Sequence, residues 1–205
     1  MSNNITDIES LEEHFGAPNE LAVAVERESL DDFQKQFIEH SPFACVATAD
    51  ADGKPTISPK GDAPGFVRII NDTTLLIPDR PGNNKVESFH NLLENPGVAI
   101  IFMIPGVRET LRVVGQAEIS TSEPILDESR IGRNPVKTGT IITIERVYFH
   151  CGKAMIRSRL WEDDYKPAAG VLPTFAEILK AEAKVDAPKE ALEEKLDKVY
   201  TEELY

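Results

Sequence analysis

Tryptophan occurs once in the 205 residues and cysteine only twice. No apolar run is long enough to span a bilayer. Cys45 and Cys151 form no C-x-x-C pair, which leaves out a redox dithiol. They read as two buried thiols in a reducing compartment. A metal site on Cys151 and His150 would lack further ligands at any recognisable spacing, so no metal is expected. Positive charge is also short. Lys and Arg total 22 against 35 Asp and Glu, a formal net charge of −13, which excludes a general binder of nucleic acid or anionic membrane. The opening MSNNITDIES lacks a basic n-region and an apolar core, so a cytoplasmic protein is expected. There is no internal repeat, no low-complexity linker and no His–Ser–Asp or paired-carboxylate constellation. His40, His90 and His150 read as structural residues. No catalytic acid or base is named.

What is present is the composition of a soluble globular chain, 41% hydrophobic and 28% charged. Its length suits one domain with a helical appendage. Thr6-Asp7-Ile8-Glu9 has the form of a capping box, with Ile8, Leu11 and Phe15 at helical spacing behind it. A second helix is expected over residues 30–39, with Leu30, Phe33, Phe37 and Ile38 on one side. From Pro42 the pattern turns to strands. FACVATA leads through an Asp-Gly turn into PTISPK, and GFVRII and TTLLIP form the next pair. VESFHNLLEN is a helix whose apolar face is Val86, Phe89 and Leu93. VAIIFMI suits a strand buried on both sides. TLRVVGQAEI follows, with Gly115 at a bulge or tight bend, and TIITIERVYFH is the last strand. About seven strands with one helix inserted midway favour a barrel. From Thr174 the chain becomes helical and acidic, with Leu192, Leu196 and Val199 on one helix side.

Three polar clusters stand out from this frame. DRPGNNK, residues 79–85, places Asp79, Arg80, Gly82, Asn83, Asn84 and Lys85 immediately before the midway helix. Unpaired amides and the macrodipole make such an end receptive to phosphate. Gly82 lets the backbone approach, Asn83 or Asn84 can cap the helix, and Arg80 and Lys85 supply charge from an exposed loop. SPKGDAPG, residues 58–65, ends the second strand with Ser58, Lys60, Gly61 and Asp62, donors and acceptors suited to the polar edge of a ring. KAMIRSRLWEDD, residues 153–164, sets Arg157 and Arg159 beside Trp161, a group able to cover a flat aromatic ligand or to pack within the protein.

The order of these pieces resembles the pyridoxamine 5'-phosphate oxidase-like family of FMN-binding split barrels. The resemblance is carried by SPKGD (58–62), IPDRPGNN (77–84), IPG-x-x-ETLRV-x-G (104–115) and RS-x-LW (157–161), and is nearest to a subgroup of FMN-dependent enzymes without an assigned substrate. It implies a mainly β fold with flanking helices, a split β-barrel over residues 42–165. Residues 1–41 would form a helical segment packed on it, and residues 166–205 an acidic helical extension. It also implies FMN as cofactor, held between the subunits of a homodimer that works on a small-molecule electron donor or acceptor. By position, Ser58, Lys60, Gly61 and Asp62 would border the isoalloxazine or ribityl chain, with Pro78 and Asp79 beside them. The phosphate-holding S-R-K falls on Asn83, Asn84 and Lys85, and a flavin-contacting glutamine falls on Thr110. Arg157 and Trp161 would come from the second subunit. Two basic positions of the oxidases are Ser58 and Ala63 here, with Arg80 as the replacement for phosphate charge. The cations that hold the vitamin phosphate have no counterpart, so pyridoxamine phosphate is not the expected substrate. Rival readings are a flavin-binding sensor or store without turnover, a split barrel carrying deazaflavin or haem, and an interaction module working through its acidic C-terminal helix.

Overall fold

Alternating burial along successive strands is what builds the body of the molecule. The computed structural model describes residues 4–205; Met1 to Asn3, the start of the expected N-terminal segment, lie outside the described residues. Three helices come first, α1 (Ile8–Phe15), α2 (Glu20–Ala24) and α3 (Asp32–His40). Strands β1 (Phe43–Ala49), β2 (Pro55–Gly61), β3 (Arg68–Asn71) and β4 (Thr74–Pro78) follow. Helix α4 (Glu87–Glu94) precedes β5 (Gly97–Met103) and β6 (Thr110–Ser120). A short α5 (Glu123–Leu126) leads to β7 (Gly139–His150), and α6 (Lys153–Ser158), α7 (Phe175–Glu182) and α8 (Lys189–Glu202) close the chain.

All seven strands join one antiparallel sheet in the order β2-β1-β5-β6-β7-β4-β3. Period-two burial sends Ala44 and Val46 of β1, Val98, Ile100 and Phe102 of β5, and Leu111 and Val113 of β6 into one shared core. The sheet curls. β2 and β4 stand far apart in the strand order, yet Lys60 at the end of β2 lies 3.3 Å from Asp79 just past β4. This is the mainly β split barrel with flanking helices that the sequence suggests.

A bulge interrupts the pairing of β6 and β7. Val114 pairs with Arg146 and Gly115 with Ile144, so Glu145 is the extra residue. The phase of β7 slips there, and both Ile144 and Val147 reach the core. Gly115 therefore marks the bulge from the opposite strand.

Several sequence expectations are corrected. Helix α1 is capped by Asp7, whose side chain accepts the Ser10 amide, and not by Thr6. Of the face expected over residues 30–39, Leu30, Phe37 and Ile38 reach the core, but Phe33 is 75% exposed and Gln34 is buried instead. Gln34 goes inward because its side-chain oxygen accepts the Asp31 amide in a capping box. β5 is buried on one face only, since Ala99 between Val98 and Ile100 is exposed. Cys151 is exposed, not buried, and Cys45 is half-buried. Among the described residues no helix is long and apolar enough to cross a membrane.

Helix α4 is also oriented differently from the expected Val86–Phe89–Leu93 face. Leu93 is 76% exposed and Val86 43% exposed, while Asn91 and Leu92 are buried. The cause is a polar anchor. The Asn91 amide donates to the Thr48 and Thr56 hydroxyls, each at 2.9 Å, fastening α4 across β1 and β2. Asn91→Ala is expected to destabilise the fold by about 1–3 kcal/mol, because two hydrogen bonds to the buried Thr48 and half-buried Thr56 hydroxyls are lost. Chemical denaturation checks this. A midpoint equal to that of the parent protein would show that the anchor contributes nothing.

Candidate functional site

The curl brings the half-buried face of β2 opposite the segment that links β4 to α4. Between them lies a cavity of ≈ 460 Å³. On β2 the half-buried residues are Thr56, Ser58 and Lys60, alternate positions that share one face. The other wall is Pro78, Asp79 and Arg80, and the rim is Asn83, Asn84 and Lys85. Phe66 and Phe89 add apolar surface.

The two polar clusters flagged in the sequence thus meet in space, although they are separated by the β3–β4 hairpin in sequence. Ser58, Lys60, Gly61, Pro78, Asp79, Arg80, Asn83, Asn84 and Lys85 all border the cavity. Four expected residues do not. Asp62 sits behind Arg80. Thr110 is 4% exposed at the start of β6, paired with His150. Arg157 is exposed on α6. Trp161 donates its indole N–H to the Val107 carbonyl at 2.9 Å, docking on the β5–β6 turn. Neither of these last two lines the cavity.

The entrance to α4 departs from its expected capping. Val86 occupies the N-cap position with φ 44° and ψ 28°, and no side chain caps the helix. The Asn83 side chain instead accepts the Lys85 amide at 3.0 Å. Glu87 and Ser88, whose amides begin α4, border the cavity, and first-turn amides have no acceptor within their helix. A β-branched residue at positive φ is strained, and such strain gathers where a loop is shaped to meet a ligand.

Electrostatically the cavity is balanced. Lys60 pairs with Asp79 at 3.3 Å and Lys85 with Glu87 at 3.3 Å. The Lys85 pair is weak, because its side chains are 69% and 48% exposed. Lys85 is therefore free to turn toward an anion. Arg80 differs, and here the expectation of an exposed loop cation fails. Its side chain is 20% exposed and its Nε donates at 2.7 Å to Asp62, whose side chain is 3% exposed. Its Nη1 donates to the Ser129 carbonyl at 2.9 Å. Burial alone would push the Asp62 carboxyl up. The Ala63 amide, the Tyr205 hydroxyl and the Arg80 guanidinium outweigh it and hold the group below the usual carboxylate value. At neutral pH Asp62 is a carboxylate that fixes the pose of Arg80.

Two kinds of residue carry little or no sign of the site in the sequence. Thr56, Phe66 and Phe89 carry only the ordinary signs of strand and helix, although the period of β2 could have grouped Thr56 with Ser58 and Lys60. Tyr205 had no local signal at all. Its hydroxyl donates to Asp62 at 2.8 Å across 143 residues.

A family model for pyridoxamine 5'-phosphate oxidase matches residues 30–151, from the approach to α3 through β7. None of the curated proteins matches the chain. Among solved structures, HupZ of Group A Streptococcus is 28% identical over 58% of this chain and 91% of its own, with a TM-score of 0.47. A Clostridium acetobutylicum protein related to general stress protein 26 of B. subtilis, of the pyridoxinephosphate oxidase family, is 18% identical. It aligns over 60% of this chain and 91% of its own with a TM-score of 0.42. An F420 reductase is 18% identical over 59% of this chain and 98% of its own, with a TM-score of 0.43.

Proposed function

The chain belongs to the pyridoxamine 5'-phosphate oxidase family, and from that membership we propose that it binds FMN and acts as a homodimeric oxidoreductase on a small molecule other than pyridoxamine phosphate. One observation carries this reading. One end of the cavity suits a phosphate and the other suits a ring. At the first, the uncapped start of α4 meets Lys85, Asn83 and Asn84, and Arg80 borders the same cavity. At the second, the Ser58 and Lys60 face of β2 lies with Phe66.

The residues suit the group. The volume of ≈ 460 Å³ falls in the range of about 300–1,000 Å³ found for small-molecule sites. A phosphate dianion would accept from the first amides of α4 and attract Lys85 away from Glu87. Arg80, already oriented by Asp62 and Ser129, supplies a fixed cation that needs no reorganisation on binding. Ser58 and Lys60 present a hydroxyl and an ammonium along one strand face, suited to polar atoms at a ring edge. When bound, the flavin supplies the hydride chemistry, and the chain supplies orientation and electrostatics. Arg157 and Trp161 belong to this proposal as groups reaching a neighbouring subunit's cavity.

The test is titration of the purified protein with FMN and with riboflavin, followed by flavin fluorescence. FMN is expected to bind at least roughly tenfold more tightly, since charge-assisted contacts to phosphate are worth about 1.5–3 kcal/mol each. Equal affinity for the two would remove phosphate from the α4 entrance, and no uptake of either would end the flavin reading. Anaerobic bleaching by NADH or NADPH, reversed by an acceptor, then separates an oxidoreductase from a flavin store.

A further inference from the structure

Arg80 is held from three directions, and one of them is the far end of the chain. Asp62 at the end of β2 accepts from its Nε, and Ser129 between α5 and β7 accepts from its Nη1. The third contact is Tyr205, whose ring lies under the guanidinium with the Arg80 Cζ 6.0 Å from its centroid. The Tyr205 hydroxyl also donates to Asp62 Oδ1 at 2.8 Å. That carboxylate then has the Ala63 amide and Tyr205 on one oxygen and Arg80 on the other. The aromatic ring and the carboxylate together box in the cation that borders the cavity.

The segment that brings Tyr205 there is built to reach it. Helix α7 begins with a Thr174–Glu177 capping box, and Ala176 is 1% exposed. Lys189 at the start of α8 bridges back to Glu177 at 2.8 Å, so the two helices form a braced pair. Leu192, Leu196 and Val199 are half-buried along one side of α8. Past Glu202 the chain turns to place Tyr205 on the Asp62–Arg80 pair. The hydrogen bond to Asp62 also raises the phenol of Tyr205 above its ordinary value.

We propose that Tyr205 is a positioning residue for the phosphate end of the cavity, coupling the docking of the α7–α8 pair to occupancy of the site through Asp62 and Arg80. The inference rests on the reading of the cavity as a site for a phosphorylated flavin. Its physical content is linkage. If the docked tyrosine fixes Arg80 in the pose that meets phosphate, phosphate binding must strengthen that docking by the same factor. The coupling has positive sign, because Tyr205 satisfies Asp62 and so keeps a neighbouring carboxylate committed to Arg80 rather than facing the incoming dianion.

The experiment compares full-length wild type, Tyr205→Phe and Tyr205→Ala for FMN and for riboflavin, with hydrogen exchange over residues 189–205. Tyr205→Ala is expected to weaken FMN by roughly fivefold or more, chiefly through faster dissociation, and to leave riboflavin unchanged. Tyr205→Phe keeps the ring over the guanidinium and loses the hydrogen bond, so its FMN affinity should lie between the two. FMN should slow exchange across residues 189–205 in the wild type and not in Tyr205→Ala. Unchanged FMN affinity in Tyr205→Ala would overturn the proposal, as would an equal loss of both flavins, which is the mark of general loosening. Wild-type protein that fails to prefer FMN over riboflavin is a different result. It removes the phosphate reading of the cavity, and the role of Tyr205 falls with it.

Discussion

Gly115→Ala is expected to lower thermal stability more than any other single methyl addition on the sheet. A Cβ at this position would stand 2.0 Å from the Thr143 carbonyl oxygen and 3.0 Å from its carbon, both backbone atoms of the neighbouring strand. No rotamer change relieves such a contact. β6 and β7 would have to part at the bulge, where Val114 meets Arg146 and Gly115 meets Ile144. Overpacking of a filled interior costs about 1–3 kcal/mol and sometimes more, and a backbone clash belongs at or above the top of that range. For a chain of this size a loss of about 3 kcal/mol corresponds to a fall in Tm of roughly 6–12 °C. Gly82→Ala is the matched control. Its Cβ would meet only the Arg80 carbonyl oxygen at 3.9 Å, so stability should change by no more than about 0.5 kcal/mol. Calorimetry of both variants checks the pair. Comparable melting temperatures would mean that the sheet opens at the bulge without cost.

The strands were legible because their chemistry is repeated at every second residue. FACVATA, PTISPK and VAIIFMI each carry enough β-branched or alternating positions to be placed nearly to the residue, as β1, β2 and β5 show. Helix faces were less legible, and Asn91 and Gln34 explain why. Each is polar and would be assigned outward by hydrophobic period. Each is turned inward by hydrogen bonds, to Thr48 and Thr56 or to the Asp31 amide. The Asn91 partners are brought to it only by folding, whereas the Gln34 partner lies three residues away in a capping box that hydrophobic period does not register. The site divides in the same way. Residues 58–61 and 78–85 announced themselves by turn chemistry and charge, and the curl of the sheet joined them. The burial of Arg80 and the arrival of Tyr205 left no local trace, since both depend on contacts far along the chain.

That burial changes what the two cations of the loop are expected to do when removed. Lys85→Ala takes away an exposed ammonium whose partner, Glu87, is itself 48% exposed. Stability should move by no more than about 0.5 kcal/mol, while FMN binding should weaken about tenfold or more, the size of one charge-assisted contact. Arg80→Ala should weaken FMN at least as much and also destabilise the fold. It strips Asp62, whose side chain is 3% exposed, of its cation and leaves Oδ2 without its donor while Ala63 and Tyr205 still hold Oδ1, a loss worth about 1–3 kcal/mol. The double variant Arg80→Ala/Asp62→Ala separates the two effects. With the stranded carboxylate gone, most of the lost stability should return, but FMN affinity should not, because Asp62 serves the ligand only through Arg80. Denaturant titration and FMN titration on the same four proteins read both quantities. Recovery of FMN affinity in the double variant would show that Arg80 acts only on the fold. Undiminished affinity in both Lys85→Ala and Arg80→Ala would place the phosphate at some other part of the barrel.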